Sequence, residues 1–356
     1  MTDKLKPLRE QIDRIDAQLL DLLNQRARLA QEVGHVKAET SAPIFRPERE
    51  AQVLRGVAER NPGPLKSGDV QTIFREIMSA CRSLEKRVTV AYLGPSGTFS
   101  EQAVYQQFGT AVDGMPCVSI DEVFRATEAG TADFGVVPVE NSSEGAINRT
   151  LDLMLATTTS ISGEVSIPVH HSLMTATGSM DGVTVVCAHS QALAQCQMWL
   201  NQHYPRIERR AVASNAEAAV MASKDPTIAA IASELAGQQY KLGVVQAHIQ
   251  DDPHNRTRFA VIGHLKTAPS GEDQTSMVLA VKNRPGALYR LLAPLNTHSV
   301  SMTRFESRPA RTGTWEYLFY VDIEGHAQDP DVARALEELQ DQAAFFKVLG
   351  SYPLSL

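Results

Sequence analysis

The sequence predicts three structural parts: an all-α helical head over residues 1–87, a two-lobed α/β domain over 88–266, and a ferredoxin-like βαββαβ domain over 275–354. Three observations support this division. Apolar residues recur at helical spacing in the first part, and short β-rich apolar runs alternate with helical patterns in the second. A polar linker, TAPSGEDQ, precedes the third. A chain of 356 residues also exceeds what one ordinary hydrophobic core accommodates.

The head is predicted to begin with a long helix over residues 7–39, because Pro7 suits a first helical position and an apolar stripe follows it. The stripe consists of Leu8, Ile12, Ile15, Leu19, Leu22, Leu29, Val33 and Val36. A second helix is predicted near 47–60 and a third from Asp69, a good N-cap residue. So small a domain cannot bury this stripe, and we therefore expect dimerisation through the long helix.

The second part contains the apolar runs VTVAYLG, FGVVPVE, VTVVCA, TIAAIAS and RFAVIG, separated by helical patterns near 121–129, 191–201 and 215–223. This alternation is typical of largely buried sheets, and its length predicts two lobes with a cleft between them. The third part is predicted to contain a strand (276–282), a helix (286–297), two strands (300–308 and 315–323) and a helix (329–341), with FKVLGSYP as a further strand.

Composition narrows the class of protein. The net charge is −7, yet residues 1–87 hold 16 Lys and Arg against 13 Asp and Glu. The basic residues are interleaved with acids and lack aromatic neighbours, so we expect a small polyanionic substrate and no nucleic acid. No apolar run reaches membrane length, and the first residues lack the apolar core of a secretory signal, so we expect neither a secretory signal nor membrane association. The scattered cysteines fit reduced thiols in a cytoplasmic protein.

Two cations of the long helix, Arg26 and Lys37, lie eleven residues apart, which places them within roughly 20° of one face. Their backbones are separated by roughly 16 Å, so both side chains can grip the carboxylates of one small ligand. Arg9 lies roughly 42 Å from Lys37 along the axis, so it can serve only the site of a second copy.

The head resembles the all-helical chorismate mutases in LREQID (8–13), LLNQRARLAQEVGHVK (22–37) and RPERE (46–50). By this resemblance Arg26, Lys37, Arg49 and Glu50 line the pocket, and Arg9 is donated across a dimer. The implied reaction rearranges chorismate to prephenate without a nucleophile, metal or cofactor, while cations stabilise charge on the ether oxygen.

Two positions depart from the best-known pattern of that family. Arg46 stands where an acidic residue can occur, and Glu85, which shares a helix face with Cys81, stands where a neutral amide can donate to the ether oxygen. An ionised carboxylate only accepts hydrogen bonds. We therefore expect turnover to fall as rising pH removes the proton from Glu85.

Three runs of the second part resemble prephenate dehydratases: AYLGPSGTFS (91–100), VVPVENSSEGAI (136–147) and NRTRFAVIG (255–263). The resemblance implies a fold similar to periplasmic binding proteins, with substrate in the interlobe cleft and Thr257 as the catalytic residue. The other pocket residues that it implies are Thr98, Ser100, Asn141, Ser142, Ser143, Ser190, Gln191, Arg258 and Phe259. GPSGT lacks the GK[ST] ending of a phosphate loop, and His170–His171 lacks metal-ligand partners.

Neutral residues suit the implied chemistry, because loss of CO₂ and hydroxide from prephenate is driven by aromatisation. A threonine hydroxyl is a poor acid at neutral pH, so we expect Thr257 to donate a hydrogen bond or relay a proton.

The third part resembles the phenylalanine-binding ACT domains attached to these dehydratases, in NRPGAL (283–288) and ESRP (306–309). The resemblance implies regulatory contacts from Asn283, Gly286, Ala287, Leu288, Glu306, Ser307, Arg308 and Pro309. A helix N-terminus offers backbone N–H groups to a carboxylate, and Gly286 permits close approach. The implied protein is a feedback-inhibited homodimer or higher oligomer. Two alternatives stay open: an arogenate dehydratase in the second part, or a non-catalytic ligand sensor.

Overall fold

The computed structural model describes residues 5–40, 43–281, 284–309 and 317–355. The chain forms two compact units, one of Met1–Val88 with Phe108–Asp113 and one of Thr89–Gln107 with Gly114–Leu356. None of the helices in the described ranges is long and apolar enough to cross a membrane.

The first unit contains three helices, as predicted: α1 (Lys6–Thr40), α2 (Pro47–Glu59) and α3 (Ser67–Ser83). The predicted N-cap of α3 is wrong. The helix begins two residues before Asp69, after an extended Lys66 whose side chain makes no capping bond. Asp69 lies instead in the first turn, where its negative charge interacts favourably with the positive end of the helix dipole.

The apolar stripe of α1 lies on the surface of the single chain. All eight predicted stripe residues are at least 51% exposed, from Val33 at 51% to Val36 at 63%. The core of this unit is formed instead by residues from α2, α3 and the segment before α2, among them Phe45, Leu54 and Met78. The longest helix of the described chain therefore presents its hydrophobic face outward.

The strands and helices from Thr89 to Gly263 form two sheets with helices against them. In chain order they are β1 (Thr89–Leu93), α4 (Phe99–Phe108), β2 (Asp113–Cys117), α5 (Ile120–Glu128), β3 (Phe134–Asn141), β4 (Gly145–Ala146), α6 (Asn148–Ala156), β5 (Ser160–Pro168), β6 (Ser172–Thr175), β7 (Val185–His189), α7 (Ser190–Gln195), α8 (Gln197–His203), β8 (Glu208–Val212), α9 (Asn215–Lys224), β9 (Ile228–Ala232), α10 (Glu234–Gln239), β10 (Gly243–Gln246) and β11 (Arg256–Gly263).

The two sheets are the cores of two lobes, which confirms the predicted α/β architecture. The first has the order β2-β1-β3-β11-β5, with β4 paired to β3, and the second has the order β10-β6-β9-β7-β8. The chain leaves the first lobe after β5 and returns as β11, which inserts antiparallel between β3 and β5. This return places Thr257 directly opposite Asn141 in the sheet register.

The C-terminal part forms the predicted βαββαβ domain. Its elements are β12 (Asp273–Ala280), α11 (Ala287–Thr297), β13 (Met302–Pro309), β14 (Tyr317–Glu324), α12 (Pro330–Gln342) and β15 (Phe345–Pro353), and its antiparallel sheet has the order β13-β14-β12-β15. All eight residues of β12 are buried. Met277 and Leu279 pack into the core of this domain, whereas Val278 packs into the core of the first lobe.

Candidate active sites

A cleft of about 910 Å³ lies between the two lobes of the α/β domain. Its lining comprises residues 93–100, 116–118 and 213–215 with Pro138, His189, Gln191, Glu217, Val220, Ser233, Thr257 and Phe259. The first residues of α4 and α9 belong to this lining, so the positive N-terminal ends of two ten-residue helices meet at the cleft.

The cleft is lined almost entirely by neutral groups. The described lining contains no lysine or arginine, and its single carboxylate is already hydrogen-bonded. Glu217 accepts the Ala213 N–H at 2.9 Å while its own N–H donates to Ser214 Oγ at 3.0 Å, an arrangement that differs from a capping box only in that the carboxylate bonds the residue before the N-cap. An anionic ligand would therefore be held by helix ends and neutral donors.

Thr257 lies on the first-lobe wall of the cleft in a hydrogen-bonded cluster. Asn141 Nδ2 donates to Thr257 Oγ1 at 2.8 Å and to Asn255 Oδ1 at 3.1 Å. Asn141 and Asn255 are only 4% and 2% exposed. Strand pairing thus brings together residues from two of the sequence runs singled out above.

The predicted cleft residues divide into two groups. Those that line the cleft are Thr98, Ser100, Gln191, Thr257 and Phe259, and those that do not are Asn141, Ser142, Ser143, Ser190 and Arg258. Asn141 donates a hydrogen bond to Thr257 without lining the cleft itself, and Ser142 Oγ accepts the Arg256 N–H at 2.9 Å.

Arg258 lies outside the predicted pocket, because successive side chains of a strand point to opposite faces of the sheet. While Thr257 and Phe259 reach the cleft, Arg258 contacts Glu164 Oε2 at 2.7 Å and Asp322 Oδ2 at 2.6 Å. Asp322 belongs to β14, so this arginine links β11 to the C-terminal domain. The structure therefore does not place Arg258 in the cleft lining, contrary to the prediction.

In the helical head, Lys37 and Glu85 lie together. Lys37 Nζ is 3.7 Å from Glu85 Oε2 and donates to the Ile44 carbonyl at 3.1 Å. Gly34 permits this arrangement, since a Cβ at that position would lie 2.7 Å from Glu85 Cγ. Cys81 is buried nearby on α3.

Glu50 is paired with Arg82, which sequence reasoning missed. Arg82 Nη1 donates to the Glu50 carboxylate, and its guanidinium lies 5.0 Å from the Phe45 ring centroid. Burial raises the pKa of Glu50, while Arg82, Arg75 and Arg26 oppose that rise.

The remaining predicted head residues lie at the surface. Arg9 and Arg49 are exposed, and Arg46 pairs with Glu48 at 3.1 Å.

Comparison with known proteins accounts for all three parts. The sequence matches the family models described as Chorismate mutase type II (residues 8–86), Prephenate dehydratase (90–267) and ACT domain (275–341). A protein of Pseudomonas aeruginosa named Bifunctional chorismate mutase/prephenate dehydratase is 47% identical over 99% of this chain and 98% of its own. The chain belongs to the bifunctional chorismate mutase/prephenate dehydratase family.

Solved structures match about three quarters of the chain. A prephenate dehydratase of Arthrobacter aurescens in complex with L-Phe superposes with a TM-score of 0.69 at 33% identity, covering 75% of this chain and 90% of that one. A structure described as a quorum quenching acylase gives the same TM-score at 28% identity, covering 75% and 98%. The shared fold therefore spans more than one described activity.

The ACT domain has a cavity of about 420 Å³ at the start of α11. Ala287 lines it, together with Arg284 and Arg290. Gly286 precedes the helix with φ of 72°, a conformation that favours glycine. Leu288 packs against the ACT core, and Asn283 lies outside the described residues.

The ESRP residues lie apart from this cavity lining, on strand β13. Glu306 is half-buried, whereas Ser307 and Pro309 are exposed. Arg308 reaches the dehydratase domain, where it donates to Asp152 Oδ1 at 2.7 Å and to the Asn148 carbonyl at 2.8 Å.

Several cleft residues of the dehydratase domain were missed in the sequence, namely His189, Ser214, Asn215, Ser233 and Cys117. Most of them follow a buried strand or begin a helix, so the Ser214-x-x-Glu217 capping signature was a usable signal. Burial raises the pKa of the Cys117 thiol, which keeps it protonated.

Proposed function

We propose that this chain converts chorismate to prephenate in its helical domain and prephenate to phenylpyruvate in the dehydratase cleft, under feedback inhibition by L-phenylalanine. The observation that carries the proposal is the presence of all three domains, in this order, along 99% of the chain in a relative of that name.

The mutase reaction needs only charge and confinement. Arg26 and Lys37 hold the two carboxylates of chorismate in the compact conformation, and a cation stabilises the ether oxygen as its bond breaks. Arg9 completes this site from a second copy. A homodimer is supported by the apolar stripe of α1, which is exposed over its whole length in the single chain.

The dehydratase reaction begins with a dianion held in a neutral cleft. The N-terminal ends of α4 and α9 bind its carboxylates. A lysine or arginine beside the ring carboxylate would stabilise it and so hinder its loss as CO₂. As the bond to that carboxylate breaks, its electron pair enters the ring and CO₂ leaves. The hydroxyl departs as hydroxide stabilised by a hydrogen bond from Thr257, or it takes the Thr257 proton and departs as water, after which the Thr257 oxygen regains a proton from solvent.

Regulation is supported by hydrogen bonds from side chains of the ACT domain to α6. Arg308 bonds the first turn of α6, Tyr320 Oη donates to the Leu151 carbonyl at 2.7 Å, and Lys347 Nζ donates to the Met154 carbonyl at 2.8 Å. The segment before α6 starts at Asn141, which bonds Thr257. The dehydratase structure solved with L-Phe supports phenylalanine as the effector. We expect Arg308→Ala to lose inhibition while catalysis is retained.

We place the protein in the cytoplasm. Its four cysteines, Cys81, Cys117, Cys187 and Cys196, are free and buried, which suits a reducing compartment.

Product identity from chorismate alone tests the proposal. Phenylpyruvate formation by the purified protein, without added cofactor, would establish both activities. Accumulation of prephenate would contradict the dehydratase assignment, and arogenate would then be supplied to test that substrate. A Thr257→Ala variant should still accumulate prephenate, because the mutase site is separate.

A further inference from the structure

We propose that Asn255 is a positioning residue for dehydration: together with Asn141, it fixes the direction of the Thr257 hydroxyl so that its proton points into the cleft. The inference rests on the proposed dehydratase function and concerns a residue that contacts neither the cleft nor the reacting atoms.

The orientation of Asn141 is set by a backbone group. The Ser143 N–H donates to Asn141 Oδ1 at 3.0 Å, and a backbone N–H can only donate. The oxygen of this amide therefore faces Ser143, and its NH₂ group faces Thr257 and Asn255. A flipped Asn141 would set a donor against the Ser143 N–H.

The orientation of Asn255 is fixed in the same manner. The Arg256 N–H donates to Ser142 Oγ at 2.9 Å, so the Ser142 hydroxyl proton is free to bond Asn255 Oδ1 at 3.3 Å. That same oxygen accepts from Asn141 Nδ2 at 3.1 Å. Two donors thus converge on Asn255 Oδ1, and both are oriented by backbone N–H groups.

Asn255 keeps this arrangement at a cost to its own amide. It is 2% exposed, and its Nδ2 has no hydrogen-bond partner among the described residues. Buried polar groups without a partner are uncommon in folded proteins and call for a reason. The reason here is that the other end of the same amide, Asn255 Oδ1, accepts hydrogen bonds from both Asn141 and Ser142.

The consequence falls on Thr257. Its Oγ1 accepts from Asn141 Nδ2 at 2.8 Å, so its own proton is left to be donated elsewhere. Thr257 lines the cleft, where the departing hydroxyl of the substrate is the group that needs a donor. Hydrogen bonds in a chain polarise one another, so the incoming bond strengthens the outgoing one.

A double-mutant cycle between Asn255 and Thr257 tests this proposal, with turnover of added prephenate as the readout. Asn255→Ala should lower kcat at least tenfold with little change in KM, since it disturbs a group that acts in the transition state. In a Thr257→Ala background the same substitution should change kcat less than twofold, because no hydroxyl remains to be oriented. Asn201→Ala, at an exposed asparagine of α8, is the matched control and should leave kcat unchanged.

Two results would overturn the proposal: an unchanged kcat in Asn255→Ala, or an equal loss in both backgrounds, which would indicate a general structural effect. Should Asn255→Ala fail to fold, Ser142→Ala removes a donor to the same oxygen, and its smaller loss should likewise vanish in the Thr257→Ala background. Mutase turnover of each variant reports on the integrity of the chain. A wild-type protein inactive on prephenate would refute the proposed function itself, which separates the two failures.

Discussion

Replacing Arg258 by methionine should destabilise the dehydratase and ACT domains by removing the cation of a buried ionic cluster. The Arg258 side chain is 20% exposed, and its partners Glu164 and Asp322 are 14% and 5% exposed. Removing one partner of a buried pair costs about 3–5 kcal/mol, because the other charges stay desolvated. Arg304 lies 2.9 Å from Glu140, a third carboxylate near Arg258, so that carboxylate keeps a cation.

The loss should depend on pH. Burial raises the pKa of Glu164, and Arg258 opposes that rise, so the variant should have a still higher pKa in the folded state. A carboxyl group with a raised folded pKa binds its proton more tightly when folded. This tighter proton binding stabilises the folded state fully at pH values below the pKa of the group in the unfolded chain. The stabilisation is lost as the pH rises through the pKa of the group in the folded state. The destabilisation of Arg258→Met should therefore be larger at pH 8 than at pH 5.5.

Chemical denaturation at both pH values, followed by tryptophan fluorescence and circular dichroism, measures the difference. Arg210→Met is the matched control, because Arg210 pairs with Glu208 at 2.8 Å and its side chain is 50% exposed. A surface pair of this kind contributes roughly 0–1 kcal/mol. Equal losses in the two variants, or a loss in Arg258→Met that does not change with pH, would refute the reasoning.

Three further predictions concern catalysis and regulation. Leu19→Asp on the exposed stripe should lower mutase turnover at least tenfold and leave turnover of added prephenate intact. The added charge should prevent dimerisation through the stripe, so that Arg9 no longer reaches the site of the second copy. Equal loss of both activities would contradict this prediction. Glu85→Gln should raise mutase turnover, because a neutral amide can donate a hydrogen bond to the ether oxygen, and a lowered turnover would count against a place for residue 85 beside that oxygen. Lys347→Met should raise the phenylalanine concentration for half-inhibition about fivefold or more without changing uninhibited dehydration, with exposed Lys224→Met as control; unchanged inhibition would exclude this contact from the coupling.

The sequence determined the elements, because each is written in a local pattern of residues. Apolar spacing fixed α1 to within a residue at each end, and strand runs punctuated by helical patterns fixed the two-lobed domain. The βαββαβ order of the ACT domain followed from the same periods. Local capping chemistry was less decisive, since α3 begins before Asp69.

Only the tertiary structure decided which distant residues meet. Thr257 faces Asn141 because β11 returns to the first sheet after the whole second lobe has been built, and no local pattern encodes that register. For the same reason the partners of Arg258 were not predictable: strand alternation directs its side chain away from the cleft, but Glu164 lies on a different strand and Asp322 in another domain. Side-chain period is a property of the segment, whereas pairing and domain contacts are set by the free energy of the packed whole.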